Sequence, residues 1–325
     1  MIAPAFPVTR LRRLRRTEAL RSLVRENAVT MNDLIYPVFI DEGLSEPKPV
    51  ASMPGVYRIP EKKMEAEIKA IHADGVKAVM LFGVSHNKDA VGSDSWKKDG
   101  LLSRIIRCAK QAAPELVVVA DCCFCEYTDH GHCGVVEDGF VNNDKTLENL
   151  ARQAVAAAKA GADIIAPSSM MDGQVQAIRK GLDGEGYEHI PIMAYSSKIA
   201  SCFYGPFRNA AGCELKGDRK TYQMDTANGR EAIRESLLDE GEGADFLMVK
   251  PGLPYLDVLS RLREHTLLPL VAYQVSGEYA MIKFSAAAGA IDEKRAVRET
   301  LMAFKRAGAD LIITYFARDI ACEGF

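Results

Sequence analysis

Four segments of the chain repeat one pattern of polar and apolar positions. Each begins with a glycine, continues with a small or β-branched residue and a charged one, and ends in an apolar run; they are residues 75–83, 161–168, 243–250 and 308–315. A glycine just beyond a helix readily adopts the left-handed conformation that closes it. An unbroken apolar run is typical of a parallel strand that is buried on both faces. The repeat therefore predicts four helix-to-strand junctions.

Four further apolar runs predict strands between these repeats, at residues 34–40, 116–120, 190–195 and 268–274. Helical periodicity separates most of the eight predicted strands, at residues 61–73, 101–112, 146–160, 175–181, 229–240, 255–264 and 293–307. This alternation predicts a (β/α)8 TIM barrel over residues 32–325. An open, doubly wound α/β sheet has the same alternation, but no G-x-G-x-x-G motif follows the first predicted strand, which weakens that alternative.

Two segments do not fit the barrel repeat. Residues 1–31 hold seven arginines with leucines between them, and predict an extended N-terminal arm that packs on a neighbouring subunit. A nucleic-acid-binding tail and an organelle transit segment are the alternatives. Residues 201–228 follow the fifth predicted strand with little periodicity. A long irregular segment after the C-terminal end of a barrel strand is typical of an active-site lid, and we refer to residues 201–228 as the predicted lid.

The composition narrows the class of protein. With 41 Lys+Arg and 44 Asp+Glu, the formal net charge is −3, which argues against a nucleic-acid partner. No apolar run approaches the roughly 18 residues that a membrane span needs. At the N-terminus the apolar residues precede the arginines, the reverse of the order in a signal peptide. We expect a soluble, cytoplasmic protein with neither a nucleic-acid nor a membrane partner.

Two lysines stand at the ends of neighbouring predicted strands, where TIM barrels carry their active sites. Lys198 ends the fifth of these strands and Lys250 the sixth. A dry pocket and a second ammonium nearby both lower the pKa of a lysine, and the neutral amine is a nucleophile. The pair therefore predicts imine formation with a ketone or an aldehyde. The alternative is that one or both lysines bind a phosphate or a carboxylate.

Four of the eight cysteines fall within the twelve residues 122–133. Three of them have a spacing that suits a tetrahedral zinc ion with one open position, as in catalytic zinc sites; they are Cys123, Cys125 and Cys133. Cys122, His130 and His132 are alternative ligands or neighbours of the ion. A structural zinc site and a metal-free redox cluster remain possible alternatives.

Several polar residues accompany the lysines and thiols at this end of the predicted barrel. Asp121 ends the third predicted strand beside the cysteines, where it would orient a reacting group or carry a proton. The predicted lid contributes Arg208, Arg219 and Lys220, which would pair with a substrate carboxylate. For each of these cations the alternative is an ordinary solvated surface charge.

Five motifs together resemble the porphobilinogen synthase family, also called 5-aminolaevulinate dehydratase. They are DCCFCEYTDHGHCG at 121–134, YSSKIAS at 195–201, FYGPFR at 203–208, MVKPG at 248–252 and YQVSGEY at 273–279. The resemblance extends from the arginine-rich arm to Tyr315. It implies a homo-octamer assembled through the N-terminal arms, and the zinc-dependent condensation of two 5-aminolaevulinate molecules to porphobilinogen in haem biosynthesis.

The resemblance also implies roles for single residues. Lys198 and Lys250 would form imines with the two substrate molecules. Cys123, Cys125 and Cys133 would be the ligands of the catalytic zinc.

Further residues would bind the two substrate carboxylates. Arg208 and Arg219 would bind the carboxylate of the substrate molecule held by Lys198. Ser276 and Tyr315 would bind the carboxylate of the substrate molecule held by Lys250. Glu235, on the helix before the sixth strand, matches an allosteric magnesium position of some bacterial members.

Two other functions account for part of this pattern. A class I Schiff-base aldolase with a structural zinc would also use a barrel lysine, but it needs no group of three thiols and usually binds phosphate. A non-enzymatic zinc scaffold would explain the cysteines and leave the paired lysines without a role. The resemblance favours the synthase over both.

Overall fold

Eight parallel strands form a barrel in the computed structural model, which describes residues 5–212, 215 and 217–324. The strands are β1 (Leu34–Asp41), β2 (Ala78–Val84), β3 (Val117–Cys122), β4 (Ile164–Pro167), β5 (Met193–Lys198), β6 (Phe246–Lys250), β7 (Leu270–Tyr273) and β8 (Leu311–Ile313). Pairing runs in the order β4-β3-β2-β1-β8-β7-β6-β5. An isolated parallel bridge between Ile165 and Ile192 brings β4 back beside β5. The predicted TIM barrel is confirmed, and the open sheet is excluded.

Helices surround this barrel. Those within the described ranges are α1 (Glu18–Leu23), α2 (Met64–Ala73), α3 (Leu101–Ala112), α4 (Asn143–Ala160), α5 (Gln174–Gly184), α6 (Gly205–Ala211), α7 (Gly229–Gly241), α8 (Leu256–Arg263), α9 (Ser276–Ala287), α10 (Glu293–Arg306) and α11 (Ala317–Glu323). All seven helices predicted from periodicity are present, with ends that differ by at most three residues. A short strand at Tyr57–Pro60 pairs with the end of β1, Lys48–Pro49 pairs with that short strand, and Val136–Glu137 pairs with Phe140–Val141. None of the helices among these residues has both the length and the apolar composition that a membrane span requires.

The four glycines of the sequence repeat adopt the conformation that the pattern predicted. Their φ angles are +101° at Gly75, +102° at Gly161, +104° at Gly243 and +109° at Gly308. This left-handed region is costly for residues with a Cβ atom. The repeat thus marks the points where a helix ends and the chain turns into the next strand.

The charged position of the repeat ties neighbouring strands together at the N-terminal face of the barrel. In three of the four repeats the charged residue is an aspartate whose carboxylate accepts a hydrogen bond from the backbone N–H of a residue at or just before the start of the preceding strand. The three bonds, each 2.8 Å long, are Val118 to Asp163, Ile192 to Asp245 and Leu270 to Asp310. Each bond satisfies a donor at the start of a strand, where the ladder with the following strand has not yet begun.

The fifth strand ends later than its apolar run suggested. The run predicted a strand at residues 190–195, whereas β5 extends to Lys198. A buried serine near the end of β5 forms hydrogen bonds with the helix α7. Ser197 Oγ donates to the Ala232 carbonyl at 2.9 Å and lies 2.8 Å from Ser236 Oγ. The strand therefore continues through buried serines that a search for apolar residues does not detect.

One helix beside the site, α9, was not predicted. Six of its first seven residues are buried, so it lacks the polar stripe by which a surface helix is found. The short helices α6 and α11 were also missed, since seven residues hold less than two full periods each.

The N-terminal arm makes few contacts within its own chain. It contains a 3-10 helix at Leu11–Arg15 and the helix α1, and none of its described residues is buried. The side chains of Leu11, Leu14 and Leu23 are 68%, 50% and 80% exposed. The arm thus carries apolar surface that the rest of this chain leaves uncovered.

The predicted lid lies across the C-terminal end of the barrel. It begins with a 3-10 helix at Cys202–Tyr204, continues into α6, and buries Tyr204, Arg219 and Met224. Its residues 213, 214 and 216 lie outside the described ranges.

Candidate active site

The two strand-end lysines lie side by side. Lys198 is the last residue of β5 and Lys250 the last of β6, and their Cα atoms are register partners. Both side chains are buried, with 5% and 6% of the residue surface exposed. The expected pairing of the lysines is therefore present, although they are 52 residues apart in the sequence.

Aromatic rings enclose the amine of Lys250. The distances from its Nζ to the ring centroids are 4.0 Å for Tyr273, 4.8 Å for Tyr195, 5.3 Å for Phe207 and 5.7 Å for Tyr204. Rings at this distance attract a cation through their faces and keep water away from a neutral amine. The motifs contained these tyrosines, but the sequence assigned them no role. The available signal was their position near strand ends: Tyr195 and Tyr204 flank Lys198, and Tyr273 is the last residue of β7.

Burial lowers the pKa of Lys250 from 10.5 to about 7, and the charge of Lys198 acts in the same direction. Lys198 has a different environment, because its Nζ donates to the backbone carbonyl of Ser168. The lowered pKa of Lys250 favours its neutral, nucleophilic form near neutral pH.

Three thiols meet next to the lysines. The sulfur atoms of Cys123, Cys125 and Cys133 all lie within 4.8 Å of one another, and Cys123 and Cys125 are 3.4 Å apart. All three residues are buried. Hydrogen bonds from the other two thiols lower the pKa of Cys133 well below its usual range. Cys133 thus favours the thiolate form, which is the form that binds metals.

The spacing of these sulfur atoms fits a zinc ion. Tetrahedral zinc with bonds of about 2.3 Å places its sulfur ligands roughly 3.8 Å apart, which agrees with the distances in the group. Within the described part of the chain, this is the one cluster of three or more metal-binding side chains. The three cysteines expected from the spacing are therefore together, and a metal of the soft, thiol-binding class suits them.

The alternative metal ligands, Cys122, His130 and His132, lie outside this group of thiols. Burial raises the pKa of Cys122 well above its usual range, and this thiol is not part of the group. His132 Nδ1 lies 3.1 Å from the hydroxyl of Tyr222 in the predicted lid, and His130 Nε2 lies 3.1 Å from the carbonyl of Ala90. The histidines therefore connect the cysteine loop to its surroundings.

Two buried carboxyl groups border the thiols and lysines. Asp121 accepts a hydrogen bond from Ser168 Oγ at 3.1 Å, while its Oδ1 has no hydrogen bond to a described residue. Burial raises the pKa of Asp121 to about 6 and that of Glu126 to about 8. Asp121 was expected here; Glu126 was overlooked, although it directly follows a predicted zinc ligand. Both line the same cavity as Lys198 and Lys250.

The arginines of the predicted lid reach this cavity. Arg208 and Arg219 both line it. Arg219 is buried and donates from Nη2 to the carbonyl of Gly131 at 3.0 Å, while its Nε makes no hydrogen bond within the described chain. Lys220, in contrast, is exposed and lies 3.9 Å from Asp218, as expected for a solvated surface charge.

Ser276 and Tyr315 stand at the ends of β7 and β8. The hydroxyl of Ser276, the first residue of α9, accepts from the backbone N–H of Phe207 at 2.9 Å and donates to the carbonyl of Phe203 at 3.2 Å. Ser276 thus holds the predicted lid to the barrel. The phenol of Tyr315 is buried and makes no hydrogen bond of ordinary geometry to a described residue, which leaves it available to a ligand.

Glu235 lies on α7, outside the barrel. It is half-buried, and burial, Asp172 and Glu242 together raise its pKa. These acids do not form a cluster close enough to hold an ion in the described residues. The magnesium position expected at Glu235 stays a prediction.

Similarity to known proteins extends over nearly the whole chain. A family model described as Delta-aminolevulinic acid dehydratase matches residues 8–322. The delta-aminolevulinic acid dehydratase of Escherichia coli is 60% identical over 314 residues, 97% of this chain and 97% of that one. The corresponding protein of Halalkalibacterium halodurans is 55% identical over 313 residues, 96% of this chain and 95% of that one.

Similarity to a solved structure is equally extensive. A crystal structure of delta-aminolevulinic acid dehydratase (porphobilinogen synthase) from Toxoplasma gondii, in complex with the reaction product porphobilinogen, has a TM-score of 0.94 and 48% sequence identity. The match covers 96% of this chain and 90% of that chain. The two proteins therefore share one fold over nearly the whole of this chain.

Proposed function

The chain belongs to the delta-aminolevulinic acid dehydratase family, and we propose that Lys198 and Lys250 are the amines through which it condenses two molecules of 5-aminolaevulinate to porphobilinogen. The observation that carries the assignment of the lysines is their register pairing at the ends of β5 and β6, inside the cavity that Cys123 and Cys125 also line. The class I aldolase alternative does not account for the family membership or for a second lysine beside the first.

The neutral amine of Lys250 adds to the ketone carbon of one substrate, and loss of water leaves an imine. Lys198 forms an imine with the second substrate in the same way. Two covalently held substrates react as parts of one molecule, which replaces an encounter in solution by an intramolecular step. The surrounding rings exclude water, which would otherwise hydrolyse the imines.

The carboxylates of the two substrates would be bound separately. Arg208 and Arg219 would bind that of the substrate on Lys198, and the free Nε of Arg219 supports this role. Ser276 and Tyr315 would bind that of the substrate on Lys250. The phenol of Tyr315 is buried and makes no hydrogen bond of ordinary geometry to a described residue, which supports the second assignment.

Cys123, Cys125 and Cys133 would hold a catalytic zinc ion. When bound, such an ion would supply Lewis-acid chemistry beside the two lysines. Asp121 would accept and return protons at Oδ1, the oxygen that has no hydrogen bond within the described chain. Its raised pKa of about 6 suits proton transfer near neutral pH.

The arm and Glu235 complete the proposal. A homo-octamer assembled through the N-terminal arms would cover the leucines that one chain leaves exposed. Glu235 would take part in an allosteric magnesium site. The cytoplasmic location predicted from the sequence is part of the same proposal.

A colour assay for the pyrrole product tests the reaction directly. The purified protein, kept under reducing conditions with zinc, is incubated with 5-aminolaevulinate, and porphobilinogen is measured with an aldehyde reagent. We expect pyrrole to form at two substrate molecules consumed per product. Cleavage of a ketose phosphate without pyrrole formation would support the aldolase instead.

A further inference from the structure

A single buried carboxylate connects two loops of the active-site rim. Glu278, the third residue of α9, has 1% of its surface exposed. Its Oε1 accepts from the backbone N–H of Leu253 at 2.6 Å, and its Oε2 from that of Val275 at 2.7 Å. A longer contact of 3.4 Å joins Oε2 to the backbone nitrogen of Gly252. Both oxygens are thus occupied by backbone donors.

These two loops carry two of the proposed substrate-binding groups. Leu253 follows Lys250 by three residues, and Val275 directly precedes Ser276. Neither loop backbone is in a strand at these positions, so the sheet ladder does not fix the distance between them. Past the strand ends, the Gly252 N–H donates to the Tyr273 carbonyl at 2.8 Å, and the carboxylate of Glu278 adds bonds to Leu253 and Val275 that hold the two loops at their separation.

A carboxylate suits this position better than a neutral side chain. It offers two acceptor oxygens and no donor, whereas each backbone N–H needs one acceptor. The positive end of the α9 helix dipole favours a negative charge in its first turn. Three backbone hydrogen bonds and the nearby Lys250 oppose the effect of burial, which raises the pKa of Glu278 to about 7.

The same helix start supports the predicted lid. Ser276 bonds to the backbone of Phe203 and Phe207, as described above. A Cβ atom on Gly277 would lie 2.6 Å from the Phe203 carbonyl oxygen, so the lid backbone packs directly on this turn. A shift of the α9 start would therefore move Ser276 and the lid together.

We propose that Glu278 is a positioning residue that holds the loop of Lys250 and Ser276 at a fixed separation, so that the amine and the hydroxyl serve the same substrate molecule. The inference rests on the proposed roles of Lys250 and Ser276. Glu278 itself is not among the described residues that line the cavity; it acts through the two loops that it joins.

The test compares the two lysines within one protein. Glu278→Gln keeps the volume but replaces one acceptor oxygen by an NH2 group, which then faces a backbone N–H. The full-length, zinc-loaded protein is mixed with 5-aminolaevulinate and borohydride, and the reduced adducts at Lys198 and Lys250 are followed separately by peptide mass mapping. We expect adduct formation at Lys250 and kcat/KM to fall by about 100-fold, with the rate at Lys198 unchanged.

A matched control makes the same carboxylate-to-carboxamide change at the opposite face of the barrel, where a single backbone N–H is bound. Asp245 accepts the backbone N–H of Ile192 at 2.8 Å, and Asp245→Asn should leave both adduct rates unchanged. If Glu278→Gln does not fold, Glu278→Asp is used instead, because it keeps the charge and shortens the side chain by one methylene. This variant should slow adduct formation at Lys250 and leave the rate at Lys198 unchanged.

Three results would overturn the inference. Equal losses at both lysines in a folded variant would indicate a general structural role for Glu278, and an unchanged rate at Lys250 would exclude any positioning role. Absence of an adduct at Lys250 in the unchanged protein would refute the proposed function of that lysine, and the inference with it. The last result is distinguished from the others because it appears without any substitution.

Discussion

The Cα atoms of Lys198 and Lys250 face each other as register partners on neighbouring parallel strands, and each lysine is the last residue of its strand. Adjacent strands lie about 4.8 Å apart. Two buried ammonium groups at such a separation repel each other, which favours loss of a proton from one of them. Burial, reinforced by this repulsion, thus favours a neutral amine at Lys250.

Replacing either lysine by methionine should abolish catalysis without unfolding the protein. Methionine keeps the volume and removes the amine, so tethering and activation are lost together. We expect porphobilinogen formation to fall by about three powers of ten or more. The double variant should be little worse than the poorer single one, because the two residues act as a unit. Lys220→Met, at an exposed lid position, is the control. Near-normal turnover of Lys250→Met would contradict the two-imine mechanism.

The pH dependence should follow Lys250. Its pKa is lowered to about 7 by burial and by Lys198, so the rate of imine formation should rise with pH up to about 7 and then level off. Between pH 7 and 10.5 the unfolded state binds this proton and the folded state does not, so the contribution of Lys250 to the free energy of unfolding rises with pH. Lys250→Met should therefore be more stable than the unchanged protein at pH 7, by a margin that shrinks toward pH 10.5. If the difference in the free energy of unfolding between the two proteins did not change with pH, the amine of Lys250 would not be held neutral in the folded protein.

Removal of the metal should abolish activity. A chelator under reducing conditions should inactivate the protein, and zinc should restore it, since three thiols give a soft metal its ligands. Substitution of Cys123, Cys125 and Cys133 by alanine should prevent this restoration. Cys122→Ala is the matched control, because this buried cysteine is outside the group. Full activity of the triple variant would refute a catalytic zinc.

Adding one methyl group under the predicted lid should loosen it. Gly277→Ala would place a Cβ atom 2.6 Å from the carbonyl oxygen and 2.7 Å from the Cα atom of Phe203, and backbone cannot yield as a flexible side chain can. We expect faster proteolysis of the lid and a lower kcat/KM, by about tenfold or more. Gly205→Ala, at a lid position with no atom within 4 Å of an added Cβ, should be tolerated. Equal protease resistance of the two variants would argue against close lid packing on α9.

Deleting residues 1–30 should lower the assembly state. The arm's leucines are exposed in the single chain, and a neighbouring subunit would bury them at a gain of roughly 25 cal/mol per Å2 of apolar surface. Sedimentation should show a smaller oligomer. A milder variant, Leu11→Ser with Leu14→Ser, should shift the equilibrium in the same direction. An unchanged large oligomer would exclude the arm as the means of assembly.

The sequence determined the barrel because its signals are local. A left-handed glycine followed by a doubly buried apolar run can be recognised within ten residues, and four copies of it, with the runs between them, define eight strands. The lysines and the cysteines were recognised for the same reason: each stands at a strand end or within one loop.

Only the tertiary structure decided which of these residues meet. Closure of the barrel places Lys198 opposite Lys250, and it surrounds Lys250 with rings from β5, β7 and the predicted lid. The bond from Leu253 to Glu278 likewise has no local signal, because the two residues are 25 positions apart in the chain. Hydrophobic periodicity records whether a side chain is buried, but the partner of a buried polar group is fixed by the register of strands far apart in the sequence.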